Sequence, residues 1–484
     1  MSDEQDRLGY LSATELRPLF ASGELSPVEV LEAQITRIDA YNGLVNAISY
    51  RDFDAARAAA KTSEARYRRG EARALEGITV ALKDEDGLPG WPMTAGSALM
   101  AGNTLTTATP CVDFLRAAGA VFHIQTTVPE LYIIPLTWSK LFGVTRNPWN
   151  LSCTVGGSSG GSGATLAAGM TTLATGSDMG GSIRIPSAFN GTYGFKPPHG
   201  RVPLVPGGEV MPQGTSGPMA RTLADLALLQ TVMTGPHREQ MTALRPALEY
   251  PSEYTGITGW RIAYSPGQGW ARLDPEVRAN TEAALRVLES QGAIIEEVDL
   301  GWDGAHIQEA ITKALTSSMM GALLQGVAAS GQRTAMTTYA NYYLDNAMGE
   351  AGPVPLTEAA AAAAHMHTGY QKLFESGFKA LVCPGVTTAK VPADLDFTTD
   401  TLQVDGQDVD PMTGWQLTAA FNLMYTIPVL SVPTGVDATN HVPTGMQITA
   451  QAFDDLAAFQ VAAAYSAAAQ PMFTGDLMPD FRVS

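Results

Sequence analysis

This sequence predicts an α/β fold with a layered sheet, and two observations carry the prediction. Beyond residue 220 segments of helical and strand character alternate, the order that builds a layered sheet. The 484 residues are 45% apolar by type, enough to bury a sizeable core. Composition shows no break that reads as a domain boundary and no internal repeat, so a single domain over 1–484 is expected.

The elements follow in order. Ser12 with Glu15 and Ser26 with Glu29 fit the Ser-x-x-Glu capping box, each opening a helix. Pro27 takes the first helical position of the second, where its missing N–H costs nothing, and Val28, Leu31, Ile35 and Ile38 recur at helical spacing behind it. An Ala- and Arg-rich helix is expected over 52–69. GITVALKD then reads as a short buried strand ending in Lys83 and Asp84, before the turn-rich loop DGLPGWPMTAGS. A helix near 110–118 and a strand near 120–126 come next. The Gly/Ser-dense section from Thr154 to Gly200 contains apolar stretches that need burial, so it is folded and not a linker. TLADLALLQTVM and 274–291 read as helices, WRIAYSP and AIIEEVDL as strands. The 303–375 region is helix-rich and carries alanines at 359–364, a run of the strongest helix former. ALVCPG, FNLMYTIPVLSVP, GMQITA and a final Ala-rich helix complete the chain.

Charge and cysteine usage exclude several functions. Thirty basic against 48 acidic residues give a formal charge of −18, which opposes binding to a phosphate backbone or an anionic lipid surface. Neither a nucleic-acid nor a membrane partner is expected. Cys111, Cys153 and Cys383 are widely separated and lack the spacing of a zinc site, so they read as buried thiols. The polar, acidic start and the absence of a spanning apolar run point to a soluble cytoplasmic protein.

Two glycine-serine clusters carry the chemistry. The run Gly156 to Gly163 lacks the Gly-Lys-Ser/Thr ending of a phosphate loop. Gly156-x-Ser158-x-Gly160 formally matches a nucleophile elbow, which needs an acid and one of the histidines His199, His237, His306, His365, His367 or His441. The second cluster, Gly176 to Arg184, places glycines before Ser182, where backbone N–H groups can converge as an oxyanion hole.

The segments VALKDEDGLPGWPMTAGS (80–97), GVTRNPWNLSCTVGGSSGGSGATLAAGM (143–170) and LATGSDMGGSIRIPSAFNGTYGFKPPHGR (173–201) together closely resemble the amidase-signature family. The resemblance is dense over 78–201, the signature core, and implies a three-layer α/β/α fold with a large mixed central sheet. It implies a catalytic triad of Lys83, Ser158 and Ser182, with a cis peptide before Ser158 and oxyanion donors on the backbone of Met179, Gly180, Gly181 and Ser182. Gly157, Ser159, Asp178 and Arg184 become supporting residues, Arg184 alternatively holding a substrate carboxylate. A lysine serves as base only when burial favours its neutral form, and the flanking Ala81 and Leu82 suit that. The implied chemistry is hydrolysis of a small-molecule amide through a seryl acyl-enzyme, with no cofactor and no metal.

Two positions depart from the family pattern: Met179 stands where many relatives have threonine, and Glu85 where they have asparagine. Glu85 is expected to point away from Lys83. The stretch 131–142 offers Tyr132, Ile133, Ile134, Trp138 and Phe142 as pocket residues, with Trp91 and Met93 from another loop and 303–375 as a substrate-side elaboration. Such a pocket favours bulky or aryl amides and extends to aryl esters and carbamates (urethanes). Three alternatives stand beside this reading: a glutamine-amidase component of a larger assembly, a catalytically silent component of one, and a Ser-His-Asp hydrolase using Ser158. A homodimer is compatible with all of them.

Overall fold

The computed structural model describes residues 3–204, 211–316, 326, 327, 329, 331–346, 356–479 and 481. Among them eleven strands form one sheet. In chain order they are β1 (Ile48–Arg51), β2 (Val80–Lys83), β3 (Ile124–Thr126), β4 (Leu173–Asp178), β5 (Tyr193–Lys196) and β6 (Thr215–Ala220). There follow β7 (Arg261–Tyr264), β8 (Ile294–Glu297), β9 (Ala380–Pro384), β10 (Val429–Val436) and β11 (Pro443–Thr449). Their spatial order is β1-β3-β2-β4-β6-β5-β10-β11-β9-β7-β8. β2 is parallel to β3 and β4, and β7 to β8 and β9, while the strands between β4 and β9 are antiparallel. The sheet is therefore mixed, as expected.

Helices cover both faces. On β9, Ala380 and Val382 enter the cluster that holds the helices Leu223–Met233 and Asp455–Ala468. Leu381 and Cys383, pointing the other way, join the helices Gly304–Thr316 and Leu356–Glu375. This alternation makes three layers, and strands buried on both faces read as continuous apolar runs.

The capping boxes form as expected: the Ser12 N–H donates to Glu15 at 2.8 Å, and the Ser26 N–H to Glu29 at 2.8 Å. The helices expected over 52–69, 110–118 and 274–291 are Phe53–Arg68, Pro110–Ala117 and Pro275–Ser290. The strand expected over 120–126 shortens to Ile124–Thr126, because Val121 makes only an isolated bridge to Thr79. Within 303–375 the described helices are Gly304–Thr316, Thr338–Asn346 and Leu356–Glu375, the last containing the alanine run. Cys111, Cys153 and Cys383 are buried free thiols. Among the described residues no helix is long and apolar enough to cross a membrane, and no group of His, Cys, Asp and Glu could hold a metal ion.

Candidate active site

The parallel pairing of β2 with β4 sets Val80 beside Leu173 and Ala81 beside Ala174, so the two strands end together. Lys83, the last residue of β2, and Ser177, near the end of β4, meet there. Lys83 Nζ donates to Ser177 Oγ at 2.6 Å and to Ser158 Oγ at 2.9 Å. Ser158 comes from the turn ahead of helix Gly160–Ala167, and the Gly157–Ser158 peptide is cis. A Cβ on Gly157 would lie 2.4 Å from the Leu136 carbonyl oxygen, so only glycine lets the turn approach this closely.

Ser182 stands on the 178–184 loop, between β4 and helix Arg184–Asn190. It is half-buried and lines, with Ser158 and Ser177, a cavity of about 420 Å³. Ser159 ties the two serine turns together: its N–H donates to the Ser182 carbonyl at 3.1 Å, and its Oγ accepts from the Ser177 N–H at 3.3 Å. Gly181 has φ 135°, and a Cβ there would sit 2.1 Å from Thr418 Oγ1. Thr418 donates that hydroxyl to the Gly180 carbonyl at 2.5 Å.

Asp178 and Arg184 hold this loop from beneath. Arg184 is completely buried and donates to both Asp178 oxygens at 2.8 and 2.9 Å, to Thr418 O, to Gln447 Oε1 and to Asn422 Oδ1. With its donors so committed, Arg184 is not placed to hold a substrate carboxylate. Burial alone would raise the Asp178 carboxyl; Arg184 and Asn422 overcome it and hold the group at about 2. Asp178 Oδ1 also accepts the Gly181 N–H at 2.8 Å. Gly181 thus spends its amide within the loop, a correction to the four-donor expectation that leaves Met179, Gly180 and Ser182.

Lys83 is fully buried, and desolvation lowers its pKa; Glu85, Asp86 and Asp178 oppose that shift. Here the structure overturns one expectation. Glu85 does not point away: its Oε1 lies 3.5 Å from Lys83 Nζ. The tight turn that bonds the Glu85 and Asp86 N–H groups to the Lys83 carbonyl, at 2.6 and 2.8 Å, folds the side chain back. Asp84 turns elsewhere, accepting from Thr94, and burial pushes it up to about 6.

The cavity walls are largely apolar. Tyr132, Ile133 and Ile134 line it, with Met93 and Met179, and helices of the 303–375 region add Ile311 and Tyr343. The Tyr132 hydroxyl donates to the Asp84 carbonyl at 2.6 Å, which stands the ring 5.2 Å from Lys83 Nζ. Trp138 and Phe142 do not line the cavity. Trp138 donates its indole N–H to Leu395 O at 3.2 Å and meets Tyr339 edge-on, and Phe142 sits in the turn of the hairpin Trp138–Ser139/Gly143–Val144. Trp91 is core, tilted against Tyr50. Nothing in the sequence singles out Ser177 or Thr418; only the parallel register and a contact across 238 residues bring them in.

The fold agrees with the comparisons. The family model described as Amidase matches residues 29–458, and the chain belongs to that family: it is an amide hydrolase. It is 33% identical over 475 residues to an acylamidase of Rhodococcus erythropolis, covering 96% of both chains. It is 38% identical over 299 residues to a glutamyl-tRNA(Gln) amidotransferase chain of Chloroflexus aggregans, covering 60% of this chain and 61% of that one. Among solved structures it is similar to a bacterial aryl acylamidase of the amidase-signature enzymes, with a TM-score of 0.85, 28% identity and coverage of 95% and 96%.

Proposed function

We propose that Ser182 is the nucleophile of an acyl-transfer reaction on bulky or aryl amides, with Ser158 relaying its proton to and from Lys83. The observation that carries this is the 2.9 Å bond from a fully buried lysine to Ser158, on a cavity that Ser182 also lines. Desolvated, Lys83 accepts a proton through Ser158 while Ser182 attacks the amide carbonyl. The same path returns the proton to the leaving amine, and water then hydrolyses the acyl-enzyme. The amides of Met179, Gly180 and Ser182 are the donors proposed for the oxyanion, each worth roughly 3 kcal/mol of barrier.

The apolar walls and the relatives named acylamidase and aryl acylamidase support bulky or aryl substrates. Aryl esters and carbamates present the same carbonyl to Ser182 and belong to the proposal. The histidine-dependent alternative has less support, since no histidine is among the described residues lining the cavity. The amidotransferase relative favours glutamine as a second substrate reading. Against it, no described cavity residue is cationic, so a free α-carboxylate would find no counter-charge.

The test is a serine-directed fluorophosphonate with peptide mapping of the adduct, alongside an anilide, its matching aryl carbamate and a small aliphatic amide. Label on Ser182 with turnover of the anilide is expected. Label on Ser158, or turnover confined to the small amide, overturns the mechanism or the substrate class respectively.

The 3.5 Å approach of Glu85 has a kinetic signature. Only neutral Lys83 is a base, so kcat/KM rises with pH until the lysine has lost its proton. Glu85 stabilises the charged form, and Glu85→Gln should therefore move the acid limb of the pH profile to lower pH. A limb that stays in place would show that Glu85 does not govern Lys83.

A further inference from the structure

Two carboxylates follow Lys83 in the turn after β2, and both Glu85 and Asp86 line the cavity. Asp86 is only 3% exposed. Its Oδ1 accepts from Thr109 Oγ1 at 2.9 Å and from Cys111 Sγ at 3.1 Å, whereas no described residue meets hydrogen-bond geometry at Oδ2. Glu85 Oε1 is ion-paired with Lys83 Nζ across 3.5 Å, but among the described residues nothing donates a hydrogen bond of good geometry to it. Buried anionic oxygens without donors are costly, and in a cavity a bound molecule can bring the donor.

No other described residue lining the cavity supplies that donor as a charge. Among the described residues there, no lysine, arginine or histidine is present, and the third carboxylate, Asp178, is already paired with Arg184. We propose that Glu85 and Asp86 form a subsite for an organic ammonium group carried by the amide substrate. This rests on the amide-hydrolase reading of the same cavity and names its substrate class: amides that are apolar over most of their length and bear a protonated amine. Anionic amides are disfavoured at the same corner.

The subsite also couples to the base. Of the carboxylates that support the charged form of Lys83, Glu85 and Asp86 contribute most. An ammonium seated between them screens that support and favours the neutral lysine that the reaction needs. Burial and the neighbouring Glu85 charge raise the Asp86 carboxyl, a shift that an ammonium seated beside it would oppose.

The test needs no turnover. The whole protein is titrated calorimetrically at about pH 7.5 with 4-phenylbutylammonium and, separately, with the uncharged 4-phenylbutanol. Charged hydrogen bonds of this kind predict that the ammonium binds at least about tenfold more tightly than the alcohol. The ratio should fall in Glu85→Gln and approach one in Asp86→Asn. If the buried Asp86→Asn change prevents folding, the wild-type ratio and Glu85→Gln, at a partly exposed position, decide the matter. Equal binding of the two compounds, tighter binding of the alcohol, no detectable binding of the ammonium, or a ratio unmoved by the substitutions overturns the proposal. Fluorophosphonate labelling of the same samples separates the two claims: label retained on Ser182 without an ammonium preference removes the subsite alone. Absence of Ser182 label removes the amidase mechanism, and the binding ratio still reads the subsite.

Discussion

Lys83→Met should lower kcat on an anilide by about 10²- to 10⁴-fold, the range over which a positioned proton-transfer group contributes. Methionine is chosen because Lys83 is fully buried between β3 and β4, where an unbranched apolar side chain keeps the volume and removes only the amine. What disappears is the bond to Ser158 and the bond to Ser177, and with them the amine that touches both serines. Steady-state kinetics with circular dichroism on the same sample checks the result. A folded variant that keeps more than about a tenth of wild-type kcat would mean that the base is elsewhere.

Arg184→Met should destabilise the protein by about 3–5 kcal/mol, the cost of leaving one partner of a buried ion pair uncompensated. Asp178 would then be buried with Asn422 and backbone N–H groups but without its directly bonded cation, Lys196 acting on it only at longer range. The sign of the pH dependence follows. Asp178 sits at about 2 in the folded protein, below the ordinary carboxylate value of about 3.9. Its contribution is therefore complete above about pH 4 and is lost as pH falls through about 2. Without Arg184 the folded-state pKa rises, so that contribution shrinks and acid sensitivity begins at higher pH. Denaturant midpoints at neutral and acidic pH measure both effects. A midpoint within experimental error of wild type would mean that the 178–184 loop is held by its backbone alone. Arg184→Lys should not rescue, because one ammonium cannot reproduce a guanidinium shared among Asp178, Thr418, Gln447 and Asn422.

Helix starts were legible because their signals are local: a Ser-x-x-Glu box needs only residues three apart, and both boxes form. Strand lengths were less so. Val121 has the composition of the run that contains it but finds only a single bridge, and pairing depends on a partner far along the chain. The pocket residues divide in the same way. Ile133 and Ile134 face the cavity while Trp138 and Phe142, a few positions on, turn into the core and a hairpin; aromatic character does not encode which.

By itself the sequence determined the alternation of helices and strands, the two glycine-serine turns and the residue types at 83, 158 and 182. The first two rest on composition and spacing along the chain, and the choice of 83, 158 and 182 on the resemblance to the amidase-signature family. The tertiary structure decided that Glu85 folds back on Lys83, that Ser177 shares the lysine with Ser158, and that Arg184 is committed to the loop. These depend on which strand ends lie side by side and on which buried donors and acceptors are left to pair. Burial and pairing are properties of the packed chain, and the same packing that strips water from Lys83 makes a lysine fit to act as a base.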